Sequence, residues 1–212
     1  MLLPAEKCTV VHFLSTGWVV SKGDDTRQRI LETAAEQASV RGLAAVSLGD
    51  VGRATGLSKS GVFKHFQAKE ALQQALLEQV IGAFTERVWR PVKPLAHGRP
   101  RLEAVFENWL GWTGDDHSKG GCGLMAFSIE LDDQPGPLRD LLKEQQLRWH
   151  MTLAREFGFL RDPSLDEAVA NQAAFEMKSI VLGYGHSRRL LDDGSARTMA
   201  RNAFSALLER LA

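Results

Sequence analysis

The stretch Leu48–Phe66, LGDVGRATGLSKSGVFKHF, decides the fold of this 212-residue chain. It holds two short helical patterns around a tight turn. Ser47 precedes the first, Leu48–Thr55, and Asp50 stands three residues on, as in a capping box. Gly56 closes that helix, because a left-handed backbone costs glycine little. Ser58 caps the second helix, read as Lys59–Phe66. Gly52 is small enough for the second helix to pass close by, and Val51, Leu57, Val62 and Phe66 pack inward. Ile30 and Ala34 of a preceding helix complete a three-helix core. The pattern is a helix-turn-helix.

Packed this way, the second helix leaves Lys59, Ser60, Gly61, Lys64 and His65 facing outward. These are donors and small residues, suited to base edges and phosphates. Between Val51 and Lys69 stand Arg53, Lys59, Lys64 and Lys69, with no acidic residue among them. Over the whole chain 26 Lys and Arg balance 26 Asp and Glu, so any basic footprint for nucleic acid is local. A solvated helical hairpin would account for the charge alone, but not for the glycine turn, the caps and the apolar spacing together.

Outward from this stretch the chain reads as helix after helix. Upstream, Ile30, Leu31, Ala34, Ala35 and Ala38 recur at helical spacing, with Arg27, Arg29, Glu32 and Glu36 on the other face. Asp24 and Asp25 supply acceptors at its start, and Gly42 ends it. Downstream, a long helix runs from Lys69 to about Arg90, stopped by Pro91 and Pro94. Further helices are expected at about 99–112, 121–131, 137–158, 165–190 and 196–211, with a loop at Thr113–Gly121 and a turn at Asp132–Pro137. No segment alternates convincingly as a strand. The expected class is all-α: a three-helix helix-turn-helix domain over 24–70, then a helical bundle over 71–212.

The segment from Thr26 to Val80 resembles the amino-terminal domain of TetR/AcrR-type transcriptional regulators. The residues that carry the likeness are RILETAAEQASVRG, VSLGDVGRATGLSKSGVFKHF and QAKEALQQALLEQV, in that order. GCGLMAFSIELDDQPGPLRD (Gly121–Asp140) resembles one carboxy-terminal subgroup of the same family. The resemblance implies that Ser47, Ser58 and Lys69 contact backbone phosphates, and that Lys59, Ser60, Gly61, Lys64 and His65 face the groove. Phe63 stands where the family usually has Tyr, so a hydroxyl contact to phosphate is lost. Ala68 replaces a small polar cap before Lys69, and Gly61 stands where Thr is common. The resemblance also implies a second domain that binds an inducer and dimerises.

For a ligand cavity the aromatic-rich set Phe106, Trp109, Trp112, Met125, Phe127, Trp149 and Phe175 is the candidate lining, against ordinary core packing. His150 and Glu130 are candidate polar contacts. Ala170, Ala174, Met177, Ile180, Val181 and Tyr184, then Ala203, Phe204, Leu207 and Leu208, suit a four-helix dimer interface, with burial inside one chain the competing account. The expected function is a cytoplasmic repressor that binds a palindromic DNA operator as a homodimer and is released by a small apolar ligand, with no membrane partner.

Other function classes find little support. The chain has no phosphate-cradling Gly-Lys loop, no G-x-S-x-G and no His pair at ligand spacing, so an enzyme is not expected. Asp115, Asp116 and His117 are adjacent loop residues, which favours solvent over metal; no metal or cofactor is expected. Cys8 and Cys122 form no disulfide framework, as suits a reducing compartment. A redox-responsive regulator sensing through Cys122, near Lys119, is the narrower alternative. Residues 1–23 are read as an N-terminal extension of unknown role or the product of an upstream start codon, since Val10–Val20 is a poor signal peptide.

Overall fold

The computed structural model describes residues 22–114, 120–161 and 163–212. Helices α1 (Lys22–Arg41), α2 (Leu48–Thr55) and α3 (Lys59–Phe63) form the amino-terminal head. Helix α4 (Lys69–Phe84) leads away from it into a bundle of α5 (Arg99–Gly114), α6 (Gly123–Leu131), α7 (Pro137–Gly158), α8 (Glu167–Arg189) and α9 (Ala196–Leu211). The described residues contain no strand, so the all-α expectation stands.

Local chemistry places these elements where their patterns put them. Ser47 caps α2, its Oγ accepting the Asp50 N–H at 3.1 Å and donating to Asp50 Oδ2 at 2.7 Å. A side-chain cap of this kind contributes about 1 kcal/mol. Gly56 ends α2 with φ 72°, and the Leu57 N–H returns to the Gly52 carbonyl at 2.8 Å. Gly42 ends α1 with φ 86° and donates to the Ala38 carbonyl at 2.9 Å. Gly52 shows the predicted close approach, since a Cβ there would lie 2.9 Å from the Leu57 carbonyl oxygen. Ile30, Ala34, Val51, Val62 and Phe66 are all buried in the head, with Leu57 partly buried against them.

Two predicted helices differ in extent. The second helix of the motif stops at Phe63 rather than Phe66, yet the His65 and Phe66 N–H groups both still reach the Val62 carbonyl, at 3.0 Å. The chain therefore turns on, and Phe66 enters the core. The long helix is α-helical only to Phe84; Thr85–Trp89 widens into a π-turn, and Arg90–Val92 is 3₁₀. Pro91 offers no N–H and its ring crowds the preceding turn, so the helix loosens before it.

A buried ion pair fastens the base of the bundle. Arg101 donates from Nη1 to Glu156 Oε1 at 2.9 Å, and Glu156 is almost fully buried. The second guanidinium nitrogen donates to the Lys93 and Leu95 carbonyls, tying the turn before α5 to α7. In the bundle α8 packs against both α7 and α9, and α5 lies across α8. Ala170, Ala174, Met177, Val181, Tyr184, Phe204, Leu207 and Leu208 are buried within the single chain by this arrangement. Among the residues expected at a dimer face, Ile180 stays only half-buried and Ala203 exposed.

Candidate nucleic-acid interface and ligand cavity

The head exposes a run of small and basic residues along α3. Ser58 opens that helix, its Oγ accepting the Gly61 N–H at 3.0 Å and lying 2.9 Å from Ser60 Oγ. Lys59, Ser60 and Lys64 are exposed, while Gly61 and His65 are half-buried at its edge. Phe63 is 51% exposed on the same segment. Arg53 pairs with Asp50, whose carboxyl is held below the usual range by the Ser47 hydroxyl and then by Arg53. Asp50 is thereby occupied within its own helix.

Of the residues expected at phosphates, Ser58 is exposed and Ser47 half-buried, each with its hydroxyl used as a cap. Lys69 is exposed at the start of α4, and its Nζ donates to the Ala44 carbonyl at 2.6 Å. Ala68 gives α4 no side-chain cap, as its side chain dictates. The head thus brings Ser58, Lys59, Ser60, Gly61, Phe63, Lys64 and His65 together on one short segment. Ser47 and Lys69 belong to its flanks.

The bundle encloses a cavity of about 590 Å³ between α4, α5, α6, α7 and α8. Trp109, Met125 and Trp149 line it, as expected. Four residues of the expected lining lie elsewhere. Phe106 stacks on Phe204 with ring centres 4.0 Å apart, and Phe127 is buried in the core. Trp112 packs edge-on against Phe84 and donates its indole N–H to Cys122 Sγ at 3.3 Å. Phe175 is 59% exposed beside Ile180 and Ala203, in a surface groove between α8 and α9.

Sequence reasoning missed three walls of the cavity. Phe84 and Trp89 line it from the end of α4 and its π-turn. Phe84 meets Trp109 and Trp149 edge-on, at 5.7 and 5.3 Å between ring centres. Lys178 lines it from α8, and burial pushes its ammonium pKa down. The spacing held a signal: Lys178 stands one turn after buried Ala174 and one turn before Leu182, which also lines the cavity.

The expected polar contacts are committed elsewhere. His150 Nε2 lies 3.1 Å from Asn171 Oδ1. Glu130 reaches out of the bundle to the head, accepting the N–H groups of Leu43 at 2.7 Å and Ala44 at 2.5 Å. Cys122 does line the cavity, but burial pushes its thiol pKa up, against the thiolate a redox sensor needs. Lys119, Asp115, Asp116, His117 and Cys8 lie outside the described residues.

Comparison with known proteins agrees with both halves. Residues 30–76 match the model for bacterial regulatory proteins of the tetR family, and residues 98–204 match the tetracyclin repressor-like C-terminal domain. A TetR transcriptional regulator from Chloroflexus aurantiacus J-10-FL is 25% identical, with 89% of this chain and 94% of that one covered and a TM-score of 0.75. A TetR-family regulator from Cytophaga hutchinsonii is 27% identical over 90% and 95% of the two chains, TM-score 0.67. AibR, solved with isovaleryl coenzyme A and operator DNA, shares the fold at 22% identity, 86% and 97% coverage and TM-score 0.71. No curated protein matches the sequence. Among the described residues no helix is long and apolar enough to cross a membrane.

Proposed function

The chain belongs to the TetR family of transcriptional regulators, and on that premise we propose that it is a ligand-released repressor binding a palindromic operator as a homodimer. The family is one of DNA-binding regulators rather than enzymes. The observation that carries the reading is the acid-free segment Ser58–His65, with Lys59, Ser60 and Lys64 exposed on a capped helix. In this reading Ser47, Ser58 and Lys69 hold phosphates, Lys59, Ser60, Gly61, Lys64 and His65 enter the major groove, and the Phe63 ring packs against the DNA without a hydroxyl contact.

Division of labour follows the expected domains, with 24–70 as the DNA-binding head and 71–212 as the ligand-binding and dimerising part. The exposed groove of Phe175, Ile180 and Ala203 is the face that takes a second copy. Pairing two heads sets half-sites about 34–36 Å apart, or a multiple of that. The effector cavity is the aromatic-walled space holding Trp109, Met125 and Trp149. Such a regulator works in the cytoplasm, where its DNA is.

The test is recovery of genomic fragments bound by the purified protein, followed by a screen of metabolites for release. A two-fold symmetric motif bound with steep salt dependence supports the reading. Salt-insensitive or sequence-independent binding sinks it.

A further inference from the structure

The charges around the cavity point to the kind of molecule it takes. Asp132, Arg148 and Lys178 are the charged residues of its lining. Asp132 and Arg148 are exposed, and Arg148 pairs with Glu144 one turn away. Lys178 is different. It is half-buried, and among the described residues no carboxylate, carbonyl or hydroxyl meets its ammonium. Glu176 on its own helix pairs with Arg210 at 2.6 Å, and Glu107 on α5 pairs with Arg201 at 2.7 Å.

The Lys178 side chain is half-buried along the cavity wall without a counter-ion, and that partial burial lowers its pKa. Gln145 and Gln146 add amides to the same wall, neither with a hydrogen-bond partner among the described residues. The remaining surface is mostly apolar and ring-rich. A neutral ligand laid over this wall would cover the ammonium without pairing it, and a cationic one would add repulsion. An anion supplies the missing charge.

We propose that the effector is an apolar, ring-bearing organic anion, its carboxylate or sulfonate paired with Lys178 and its body lying against Trp149 and Phe84. This rests on the reading of the cavity as the effector site, and it replaces the purely apolar ligand expected from sequence with a charged one. Lys178 is the specificity-determining residue for the anionic end.

Two fluorescent probes of nearly the same skeleton separate the possibilities: anilinonaphthalene sulfonate, an anion, and phenylnaphthylamine, which is neutral. Both are titrated into the full-length protein, into Lys178→Met, Lys178→Gln and Lys178→Arg, and into the cavity-filling variants Ser128→Phe and Thr152→Phe. Only binding lost on filling is counted as cavity binding. The expected result is that Lys178→Met and Lys178→Gln weaken the anionic probe at least about tenfold, while Lys178→Arg restores most of it. The neutral probe binds these variants as well as wild type, or more tightly. If Lys178→Met and Lys178→Gln change both probes equally, or neither, while filling abolishes both, the anion assignment is overturned and the cavity remains a ligand site. If filling leaves both probes bound as before, the cavity is not a ligand site, and the effector reading fails with the inference.

Discussion

The carboxylate of Glu130, on α6, accepts the backbone N–H of Leu43 at 2.7 Å, across 87 positions of sequence. Its other oxygen takes the Ala44 N–H, while the Ala44 carbonyl receives Lys69 Nζ and the Leu43 carbonyl receives Gln73 Nε2 at 2.9 Å. Gly42 leaves room for the carboxylate; a Cβ there would sit 2.9 Å from Glu130 Oε2. Ile129, the residue before Glu130, lines the cavity. The residue that clamps the head's loop is therefore the sequence neighbour of one that lines the cavity.

Replacing Glu130 with Ala removes the acceptor for two N–H groups, one of them on a buried residue. Stability should fall by about 1–3 kcal/mol, with Glu130→Gln costing less because an amide oxygen still accepts. Hydrogen exchange reads the site directly. The Leu43 and Ala44 amides should exchange faster in Glu130→Ala, and unchanged protection of both would show that the clamp is absent in solution.

On the recognition segment, Lys64→Ala should weaken operator binding and shallow its salt dependence by about one unit of log–log slope. The triple change of Lys59, Lys64 and His65 to Ala should abolish specific binding and leave helical content intact. Anisotropy titrations over a salt series decide this. Undiminished affinity in the triple variant removes α3 as the reading element.

Two glycines of the motif should respond in opposite directions. Gly52→Ala forces a Cβ to 2.9 Å from a backbone oxygen, which cannot swing away. It should cost about 1–3 kcal/mol of stability. At Gly61 the added Cβ meets its nearest atom, Ser58 Oγ, at 3.4 Å, an ordinary contact. Gly61→Ala should gain roughly 0.5–1 kcal/mol from helix propensity. Thermal melts of the two variants should move to either side of wild type.

The Cys122 thiol should be sluggish toward disulfide reagents at neutral pH in a Cys8→Ser background, and react fully once the protein is unfolded. Burial raises its pKa, so the folded state holds its proton to higher pH than the unfolded chain does. The linkage sign follows. Stability from this group is complete below the unfolded thiol pKa and falls as pH rises above it, because the unfolded state then binds fewer protons. Rapid labelling of native protein at neutral pH would contradict this.

The exposed groove between α8 and α9 should be the site of self-association. Ala203→Glu, and separately Phe175→Glu, place a charge on the groove at exposed positions outside the core of the single chain. Each should convert a dimer to a monomer by sedimentation and weaken operator binding by well over tenfold, since one head holds only one half-site. A dimer that persists in both variants places the interface elsewhere.

Sequence alone determined what is local. Ser47, Gly56 and Ser58 mark helix ends, Val51, Val62 and Phe66 mark an inward face, and the acid-free run from Val51 to Lys69 marks a charged surface. Caps, glycine turns and apolar periods act within a few residues, so their chemistry is visible in order and spacing. Tertiary structure decided what joins distant residues. The spacing that made Phe106, Trp112, Phe127 and Phe175 candidates for a cavity fits core or surface equally well; the crossing of α5 with α8 and α9, and of α4 with α6 and α7, sorted them. Lys178 became an unpaired cation on the cavity wall because no carboxylate among the described residues reaches it. Glu130 became a clamp on the head because Gly42, far away in sequence, left space for its carboxylate beside two free N–H groups.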